Sequence, residues 1–329
     1  MLLGGGLVAF PTETVYGLGA NALDAAAVQR IYSAKGRPVN NPLIVHIASM
    51  PQLETVAIDI PPLAYDLAAA FWPGPLTMVL KRHPDIPGGV SLGRDTVAVR
   101  MPSHPVAHAL IEAAGVPVVA PSANRFTRPS ATSAQHVLTD LEGRVDLVLD
   151  GGPTQIGLES TVLDLTSDPP LVLRPGGVTL EALRQHIPTV ERFQQPLAMD
   201  DEAARPASPG MLSKHYAPQA EMQVFSGPAQ AVLEQMQSVA AELNASGGRV
   251  GVLVVDEDQG YFENCTLARL GSQNDLAQVA HNLFSALRSL DEQGVEVILA
   301  RLFDPAGLGA TLNDRLLRAA EGHVIHVGE

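Results

Sequence analysis

Residues 97–120 read VAVRMPSHPVAHALIEAAGVPVVA, and this stretch decides the fold. An apolar strand at 97–101 leads into a helix over 104–114, in which Pro105 suits the first helical position, and a second apolar strand follows at 116–120. Short apolar strands alternate with helices in the same way along most of the chain. The pattern predicts an α/β fold.

The alternation falls into two parts, as expected for 329 residues. In the first part we expect further strands at 6–10, 43–47, 76–80, 145–150, 161–165 and 171–174. Helices are predicted near 24–34, 62–71, 133–141 and 179–185. From about 189 to 220 the chain is polar and contains several prolines, which is typical of an interdomain linker. The second part predicts a smaller α/β unit with a parallel sheet, with strands at 221–227, 249–256 and 295–303 and helices at 228–243, 274–294 and 312–322.

Composition limits the class of protein. The chain is 46% hydrophobic and only 17% charged, which describes a soluble, well-packed protein, and its net charge of −14 speaks against broad nucleic-acid binding. The single cysteine, Cys265, excludes an internal disulfide and a thiolate zinc site. No apolar run reaches the roughly 18 residues of a transmembrane helix, and MLLGGGLVAF has no basic region typical of a signal peptide. We therefore expect a cytoplasmic protein.

Several polar side chains follow or end strands, where ligands of α/β sheets usually bind. Arg100 lies within an apolar strand and needs an anionic partner, either a structural carboxylate or a substrate carboxylate or phosphate. Arg174 ends a strand before Pro-Gly-Gly. The loop 121–132, PSANRFTRPSAT, offers hydroxyls, an amide and arginines, although such residues are also common in ordinary turns. His46 is either a core residue or a functional one.

Other chemistries have weaker support. His104 and His108 have the spacing of helical metal ligands but no acidic or cysteine partner. Neither a G-x-S-x-G elbow nor a P-loop is present. GLGA at 307–310 opens a helix but lacks the full dinucleotide fingerprint. Together these features favour a site that holds and positions anions without covalent catalysis.

The stretch 35–47, KGRPVNNPLIVHI, concentrates polar residues before a strand. Helix capping accounts for part of it, because Asp24 can begin a helix, Gly36 can end it and Lys35 suits its last turn. Capping does not account for Arg37, the NNP turn or His46.

Seven motifs in order are similar to those of the threonylcarbamoyl-AMP synthase family, whose catalytic module is the YrdC-like domain. They are FPTETVYGLGANA (10–22), KGRPVNNPLIVHI (35–47), FWPGPLTMVL (71–80), VAVRMPSHP (97–105), PSAN (121–124), GLESTVLDL (157–165) and LRPGG (173–177). The segments SPGMLSKHYAP (208–218) and GLGATLNDRLLRAA (307–320) resemble the linker and C-terminal domain of the long form of this family.

The resemblance implies an open twisted mixed α/β sheet with a large polar cavity, followed by a smaller Rossmann-like α/β domain. It divides the chain into a catalytic domain at 1–190, a linker that forms a lid at 191–220 and a C-terminal domain at 221–329. The family is a nucleotidyltransferase that forms threonylcarbamoyl-AMP and pyrophosphate from L-threonine, bicarbonate or CO2, and ATP with Mg2+. Its product passes to a tRNA threonylcarbamoyl-transfer complex, which modifies adenosine at tRNA position 37.

The resemblance also implies roles for individual residues. Lys35 and Arg37 match the catalytic positions. The ATP-binding positions are matched by Lys35, Arg37, Asn41, Thr96, Ser122, Asn124, Ser130, Arg174, His215 and Tyr216. The threonine-binding positions are matched by Thr14, His46, Arg100, Ala120 and Ser160. No resident metal site is implied, since Mg2+ is held mainly by the nucleotide.

Two alternatives stay open at this point. One is an RNA-binding module without catalysis, against which the acidity of the chain weighs. The other is a carbamoyl-adenylate enzyme similar to the hydrogenase-maturation proteins, although their zinc-finger and acylphosphatase modules have no counterpart in this sequence.

Overall fold

A computed structural model describes residues 1–38, 41–193, 215–262 and 264–328. The described chain separates into two compact units, one of residues 1–126 and 130–193, the other of residues 127–129 and 215–328. The predicted α/β class, with a mixed sheet first and a smaller α/β domain second, is confirmed. The predicted boundaries of the linker stay a prediction, and its residues 194–214 lie outside the described residues.

The first unit contains a mixed sheet of 11 strands among its described residues, in the order β11-β10-β9-β5-β6-β3-β7-β2-β1-β8 with β4 paired to β5. The strands are β1 (Val8–Phe10), β2 (Gly17–Asn21), β3 (Ile44–His46), β4 (Ala57–Ile58), β5 (Leu76–Arg82), β6 (Thr96–Arg100), β7 (Val118–Val119), β8 (Leu147–Val148), β9 (Thr161–Asp164), β10 (Leu171–Arg174) and β11 (Glu191–Arg192). The helices are α1 (Ala25–Lys35), α2 (Met50–Val56), α3 (Pro62–Phe71), α4 (Gly88–Ser91), α5 (Pro105–Ala114), α6 (Ala134–Leu141) and α7 (Leu180–Arg184).

Helix α1 shows how the local sequence sets these elements. Asp24 begins it, because its carboxylate accepts hydrogen bonds from the backbone N–H groups of Ala26 and Ala27 at 2.9 and 3.2 Å. Gly36 ends it with a φ of 61°, a left-handed conformation that glycine adopts without steric cost. The buried side chains of Val28 and Ile31 join the main hydrophobic core, and each contributes about 1.5–3 kcal/mol. Both capping predictions are confirmed.

The second unit contains a five-stranded parallel sheet in the order β14-β13-β15-β12-β16. Its strands are β12 (Glu221–Ser226), β13 (Val250–Val254), β14 (Thr266–Arg269), β15 (Val297–Arg301) and β16 (Val324–His326). Its helices are α8 (Ala229–Ala245), α9 (Leu276–Glu292) and α10 (Leu308–Ala319). The parallel sheet expected for this unit is confirmed.

Some predicted bounds were wrong. The strands predicted at 116–120 and 145–150 are two residues each, and the last helix begins at Leu308, four residues before the predicted start. Seven further elements escaped prediction, namely β2, α2, β4, α4, β11, β14 and β16. Strand β2 was hidden by its glycines, which weaken strand propensity. Gly19 is needed there because a Cβ atom would lie 2.8 Å from the ring of Phe10.

Candidate functional site

One end of the large sheet collects four of the predicted site residues. Strand β6 runs antiparallel to β5 and strand β9 runs parallel to it, so that Arg100 at the end of β6 and Ser160 just before β9 flank the same end of β5. His46 lies opposite Arg100 in the β3–β6 register. Because β10 is antiparallel to β9, Arg174 also comes to this end. The register therefore places two cations beside a neutral histidine and a hydroxyl.

Arg100 is only 4% exposed and is held by three groups. Its Nε donates to the carbonyl of Gly74 at 3.1 Å, and Nη1 donates to Oγ1 of Thr14 at 2.8 Å. Its Nη2 lies 2.7 Å from Oε1 of Glu13. A guanidinium carries five N–H groups, so two of them have no acceptor among the described residues.

Glu13 is the structural carboxylate that a buried Arg100 requires. Its other oxygen, Oε2, accepts from the N–H of Ser103 at 3.2 Å. The sequence analysis left two partners open for Arg100, a structural carboxylate or a substrate anion. The structure supplies the first and leaves donors available for the second.

Ser160 connects β9 to Arg174. Its Oγ lies 2.7 Å from Oγ1 of Thr77 on β5, and Nη2 of Arg174 donates to its carbonyl at 2.8 Å and to its Oγ at 3.2 Å. Gly176 permits this arrangement, because a Cβ atom there would lie 2.3 Å from the carbonyl carbon of Ser160. The LRPGG motif thus brings the chain against the backbone that carries Ser160.

His46 is buried and neutral. Its Nδ1 lies 3.3 Å from the carbonyl oxygen of Ile44, and the ring meets that of Phe10 edge-on with centroids 6.3 Å apart. Burial, followed by the charge of Arg100, lowers the pKa of His46 to about 3, although the hydrogen bond to Ile44 opposes the change. Because a carbonyl only accepts, Nδ1 carries the proton and Nε2 is left as an acceptor.

A second group of predicted residues forms around the end of α1. Lys35 is buried, and its Nζ donates to the carbonyls of Ser122 and Asn124. The N–H of Phe126 in turn donates to the carbonyl of Lys35 at 2.9 Å. These bonds hold the PSAN loop against α1, so that Lys35, Ser122 and Asn124 are neighbours.

Arg37 and Asn41 form the rest of this group. Nη2 of Arg37 donates to the carbonyls of Asn41 and Pro42 at 3.1 and 2.9 Å. The Asn41 side chain is 0% exposed, yet neither its amide nitrogen nor its amide oxygen has a hydrogen-bond partner among the described residues. A buried unsatisfied amide is costly. The Asn41 amide therefore has hydrogen-bonding capacity that no group among the described residues uses.

Strand β3 joins the two groups. Asn41 precedes it and His46 ends it, five residues later, so their Cα atoms are at most about 18 Å apart. The N–H of Ala120 donates to the carbonyl of Ile44 at 2.9 Å, which places Ala120 beside the same strand. This spacing suits a ligand whose two ends are recognised by different groups.

The remaining predicted residues lie farther out. Thr96 begins β6, four residues from Arg100, which is about 13 Å along a strand. Ser130 donates to Oε1 of Glu159 at 2.5 Å and is fully buried. Thr96 is thus at the opposite end of β6 from Arg100, and Ser130 is tied to the residue that precedes Ser160.

His215 and Tyr216 belong to the second unit. The ring centroids of the two residues lie 4.0 Å apart, and the guanidinium of Arg315 lies 5.0 Å from the ring centroid of Tyr216. Tyr216 is fully buried with a φ of 63°, a left-handed conformation that is uncommon for a tyrosine. Their roles in ATP binding stay predictions, and most of the linker motif before them lies outside the described residues.

Three buried residues of the site escaped prediction: Glu13, Thr77 and Glu159. Each lies inside a motif that was quoted for the family, but their contacts across strands have no signal in the sequence. A carboxylate near Arg100 could have been anticipated from the cost of burying a lone cation, but not its identity.

Metal chemistry has little support in the described part of the chain. No three His, Cys, Asp or Glu side chains are grouped there so that they could hold a metal ion. Nδ1 of His104 accepts from the N–H of Val106 at 3.2 Å, so this histidine caps α5. Burial lowers the pKa of His104.

No helix in the described ranges is both long enough and apolar enough to span a bilayer.

Two known protein families together match almost the whole chain. Residues 1–176 match the family described as "Telomere recombination", and residues 178–321 match the family described as "Threonylcarbamoyl-AMP synthase, C-terminal domain". The chain is 47% identical over 323 residues to the threonylcarbamoyl-AMP synthase of Pyrococcus abyssi, covering 98% of this chain and 93% of the relative. It is 46% identical over 320 residues to that of Bacillus subtilis, covering 97% and 90%.

Two solved structures share the fold over nearly the full length. The crystal structure of P. abyssi Sua5 complexed with L-threonine superposes with a TM-score of 0.93 at 46% identity, covering 99% of this chain and 94% of that one. A P. abyssi Sua5 variant, in which an adjacent histidine and tyrosine are changed to alanine, gives a TM-score of 0.93 at 45% identity, covering 100% and 93%. The family resemblance inferred from the motifs is confirmed.

Proposed function

Since this chain belongs to the threonylcarbamoyl-AMP synthase family, we propose that it catalyses the formation of threonylcarbamoyl-AMP. The substrates are L-threonine, bicarbonate or CO2, and ATP bound as its Mg2+ complex, and pyrophosphate is the second product. The enzyme is then a nucleotidyltransferase. The product is handed to a tRNA threonylcarbamoyl-transfer complex for modification of adenosine at position 37.

Arg100 is the observation that carries this proposal. Three contacts fix the guanidinium, and two N–H groups remain to bind the carboxylate of threonine in a bidentate manner. A relative of 46% identity has been solved with L-threonine, which supports an amino acid as the ligand. Arg100 is therefore the carboxylate clamp.

The other residues at this end of the sheet position the amine and the hydroxyl of threonine. His46 offers Nε2 as a neutral acceptor, and Thr14 and Ser160 offer hydroxyls. The backbone near Ala120 adds polar groups beside β3. Since its pKa is lowered to about 3, His46 is too weak a base to deprotonate the threonine ammonium, and its Nε2 serves as a hydrogen-bond acceptor that orients the amino group.

The group around α1 receives the triphosphate. Lys35 and Arg37 are buried, and their backbone acceptors orient the side chains. Asn41 supplies an unsatisfied amide at the same place. Ser122 and Asn124 lie on the loop that Lys35 holds, and Thr96, Ser130 and Arg174 extend the nucleotide site. These cations and amides are held in place before the substrate binds. They can therefore stabilise the charge that develops on the phosphates in the transition state without first rearranging.

The reaction proceeds through an addition followed by a substitution. The free amine of threonine forms a bond to the carbon of CO2 while one C=O π bond breaks and its electron pair moves to oxygen, and the nitrogen then loses a proton to solvent, which gives a carbamate. A carbamate oxygen then attacks the α-phosphorus of ATP while the bond from that phosphorus to the β-phosphate oxygen breaks, which releases pyrophosphate. Lys35 and Arg37 balance the charge that develops on the leaving pyrophosphate. No residue of the chain forms a covalent intermediate.

The proposal is tested by pyrophosphate release from ATP and bicarbonate with and without each amino acid. We expect release that requires L-threonine, together with the mass of threonylcarbamoyl-AMP. Lys35→Met and Arg37→Met should each reduce kcat by at least about 100-fold, the range for removing a preorganised donor. Arg30→Met on the same helix removes an exposed ion pair with Asp146 and is the matched control.

Two results would count against the proposal. One is pyrophosphate release that does not depend on threonine, which would indicate ATP hydrolysis or another acceptor. The other is a folded, inactive protein with salt-dependent and ATP-independent affinity for RNA, which would favour the binding module.

A further inference from the structure

The second unit contains a crevice between two neighbouring strands, β12 and β15. The connections that follow these strands run in opposite directions across the sheet. Strands β12 and β15 are adjacent, with Phe225 opposite Arg301 in the register. The connection from β12 through α8 crosses β15 to reach β13, whereas the connection from β15 through α10 crosses β12 to reach β16. Right-handed crossovers in opposite directions lie on opposite faces of the sheet. The carboxyl ends of β12 and β15 therefore form a topological switch point, the usual ligand position in open α/β sheets.

A cavity of about 480 Å³ lies at this switch point. Its lining comes from the end of β12 and the start of α8, from the end of β15 and the loop that follows it, and from Asn313 of α10. The size lies within the range of pockets that hold small molecules. Apolar side chains such as Phe303 and Val232 alternate with a few polar groups, which is the composition of such pockets.

Arg301 supplies a cation to the cavity and is oriented before any ligand binds. Its Nε donates to Oδ2 of Asp258 at 2.5 Å, Nη2 donates to Oε1 of Gln273 at 3.1 Å, and Nη1 donates to the carbonyl of Leu302 at 3.5 Å. The guanidinium carbon also lies 5.8 Å from the ring centroid of Phe303. Two of the five N–H groups have no acceptor among the described residues, and each can donate to an anionic oxygen.

The start of α8 adds donors to the cavity lining. This helix of 17 residues begins after Pro228 without a side-chain cap, and Ala229 at its first position lines the cavity. The N–H groups of a first helical turn have no partner within the helix and carry partial positive charge. The cavity lining thus contains a cation, the start of a helix and one carboxylate, that of Asp304, which accepts from the N–H of Ala306 at 2.9 Å.

None of the residues of the GLGA segment at 307–310 lines the cavity, so this segment does not provide the phosphate contact. A Cβ atom on Gly309 would lie 1.7 Å from the carbonyl oxygen of Asp304, so the loop before α10 packs directly on the first turn of that helix. The glycine is required for this packing. The anion-binding wall is therefore the α8 wall.

We propose that the crevice between β12 and β15 binds a small phosphate-bearing molecule of mononucleotide size. Arg301 and the first turn of α8 bind the phosphate, and the apolar lining contacts the remainder of the molecule. This site consists only of residues in the second unit, and it does not depend on the function proposed for the first unit.

The test uses AMP as the probe and the full chain. Ala229→Glu introduces a carboxylate that competes for the N–H groups of α8 and repels phosphate. The fold should tolerate it, because Ala229 is exposed and a carboxylate is favoured in a first helical turn. Gln235→Glu adds the same group at an exposed position farther along α8, outside the cavity lining, and is the matched control. Thermal unfolding of each variant verifies the fold.

Equilibrium dialysis with labelled AMP then counts the sites. We expect the wild type and Gln235→Glu to bind one more AMP per chain than Ala229→Glu, or to bind it at least about tenfold more tightly. Inorganic phosphate is the second probe: if it displaces AMP from this site, the phosphate is the recognised group, and if it does not, the nucleoside contributes as well. Equal AMP binding by the three proteins, or the same loss in Gln235→Glu, would overturn the proposal.

Discussion

The carboxylate of Glu13 lies 2.7 Å from Nη2 of Arg100, and both side chains are less than 5% exposed. A buried ion pair is costly to form and costly to break, since removing one partner leaves the other charge uncompensated. Glu13 cancels the cost of burying Arg100 while occupying only one of its nitrogens. The pair therefore supplies a rigid guanidinium that still has donors to offer.

Replacing Glu13 should separate threonine binding from ATP binding. Glu13→Gln keeps the size and one acceptor but removes the charge, so Arg100 is left buried and poorly oriented. We expect the KM for threonine to rise at least about tenfold with little change in the KM for ATP, and the free energy of unfolding to fall by about 3–5 kcal/mol. Steady-state kinetics and urea unfolding measure the two effects.

Glu54→Gln is the control for this change, because Glu54 is exposed on α2. Glu54→Gln should have KM values for threonine and ATP, and a free energy of unfolding, that equal those of the wild type within experimental error. An unchanged threonine KM in Glu13→Gln would remove Arg100 from the role of carboxylate clamp.

Gly176 packs closely against the backbone of Ser160 and Thr161, so adding one methyl group at this position should strongly reduce stability. In Gly176→Ala the new Cβ would lie 2.3 Å from backbone atoms of Ser160 and Thr161, and backbone cannot move aside as a flexible side chain can. We expect unfolding to become easier by several kcal/mol, at the upper end for single substitutions. Because Ser160 and Arg174 are displaced together, threonine-dependent activity should fall with it.

Gly4→Ala is a matched substitution, since nothing lies within 4 Å of the position of its Cβ atom. Calorimetric unfolding of the two variants compares them directly. Equal melting temperatures would mean that the loop at 175–177 relaxes without cost.

The sequence predicted the periodic elements and several of the polar positions. The long apolar strands and the helix caps are local features, and the stretch 97–120 indeed forms strand, helix and strand. Strands that contain glycines or have only two residues were not predicted, because they are stabilised by neighbouring strands that are distant in the sequence. Gly17–Asn21 is the plainest example.

The candidate site was predictable to the extent that its residues follow strands. Arg100 was singled out because a cation within an apolar strand needs a partner, and Arg174 because it ends a strand, where ligands usually bind. Glu13, which is that partner for Arg100, lies 87 residues earlier in the chain, and no local pattern connects the two. The empty hydrogen-bonding capacity of Asn41 also had no sequence signal, because it depends on how the loop is enclosed.

His46 predicts how the stability of the protein depends on pH. Its pKa is about 3 in the folded protein, well below the ordinary value of 6.5 that applies when the chain is unfolded. Below pH 6.5 the unfolded chain takes up a proton that the folded protein does not. The stabilising contribution is therefore complete above pH 6.5 and is lost as the pH falls towards 3, with a slope of at most about 1.4 kcal/mol per pH unit.

His46→Gln should remove this slope. The difference in free energy of unfolding between wild type and variant should be constant above pH 7 and should narrow between pH 6.5 and 4.5, as followed by urea unfolding at each pH. Other titrating groups are common to both proteins and cancel in the difference. Parallel curves across the range would mean that the pKa of His46 is the same in the folded and the unfolded protein.

Replacing the Asn41 side chain by an apolar one should raise the stability of the protein and weaken its binding of ATP. Both polar atoms of its buried side chain lack partners among the described residues, and an unsatisfied buried polar group costs about 1–3 kcal/mol. Asn41→Leu keeps the number and branching of the side-chain heavy atoms and removes that cost, so the unliganded protein should become more stable by up to about that amount. The KM for ATP should rise at the same time, because the amide is no longer available to the nucleotide.

Asn21→Leu is the comparison, since Oδ1 of Asn21 already accepts from the N–H of Leu23 at 3.0 Å, and that variant should lose stability. Thermal unfolding without ligand and ATP kinetics measure both properties, and a destabilised Asn41→Leu protein with an unchanged KM would show that the amide is structural.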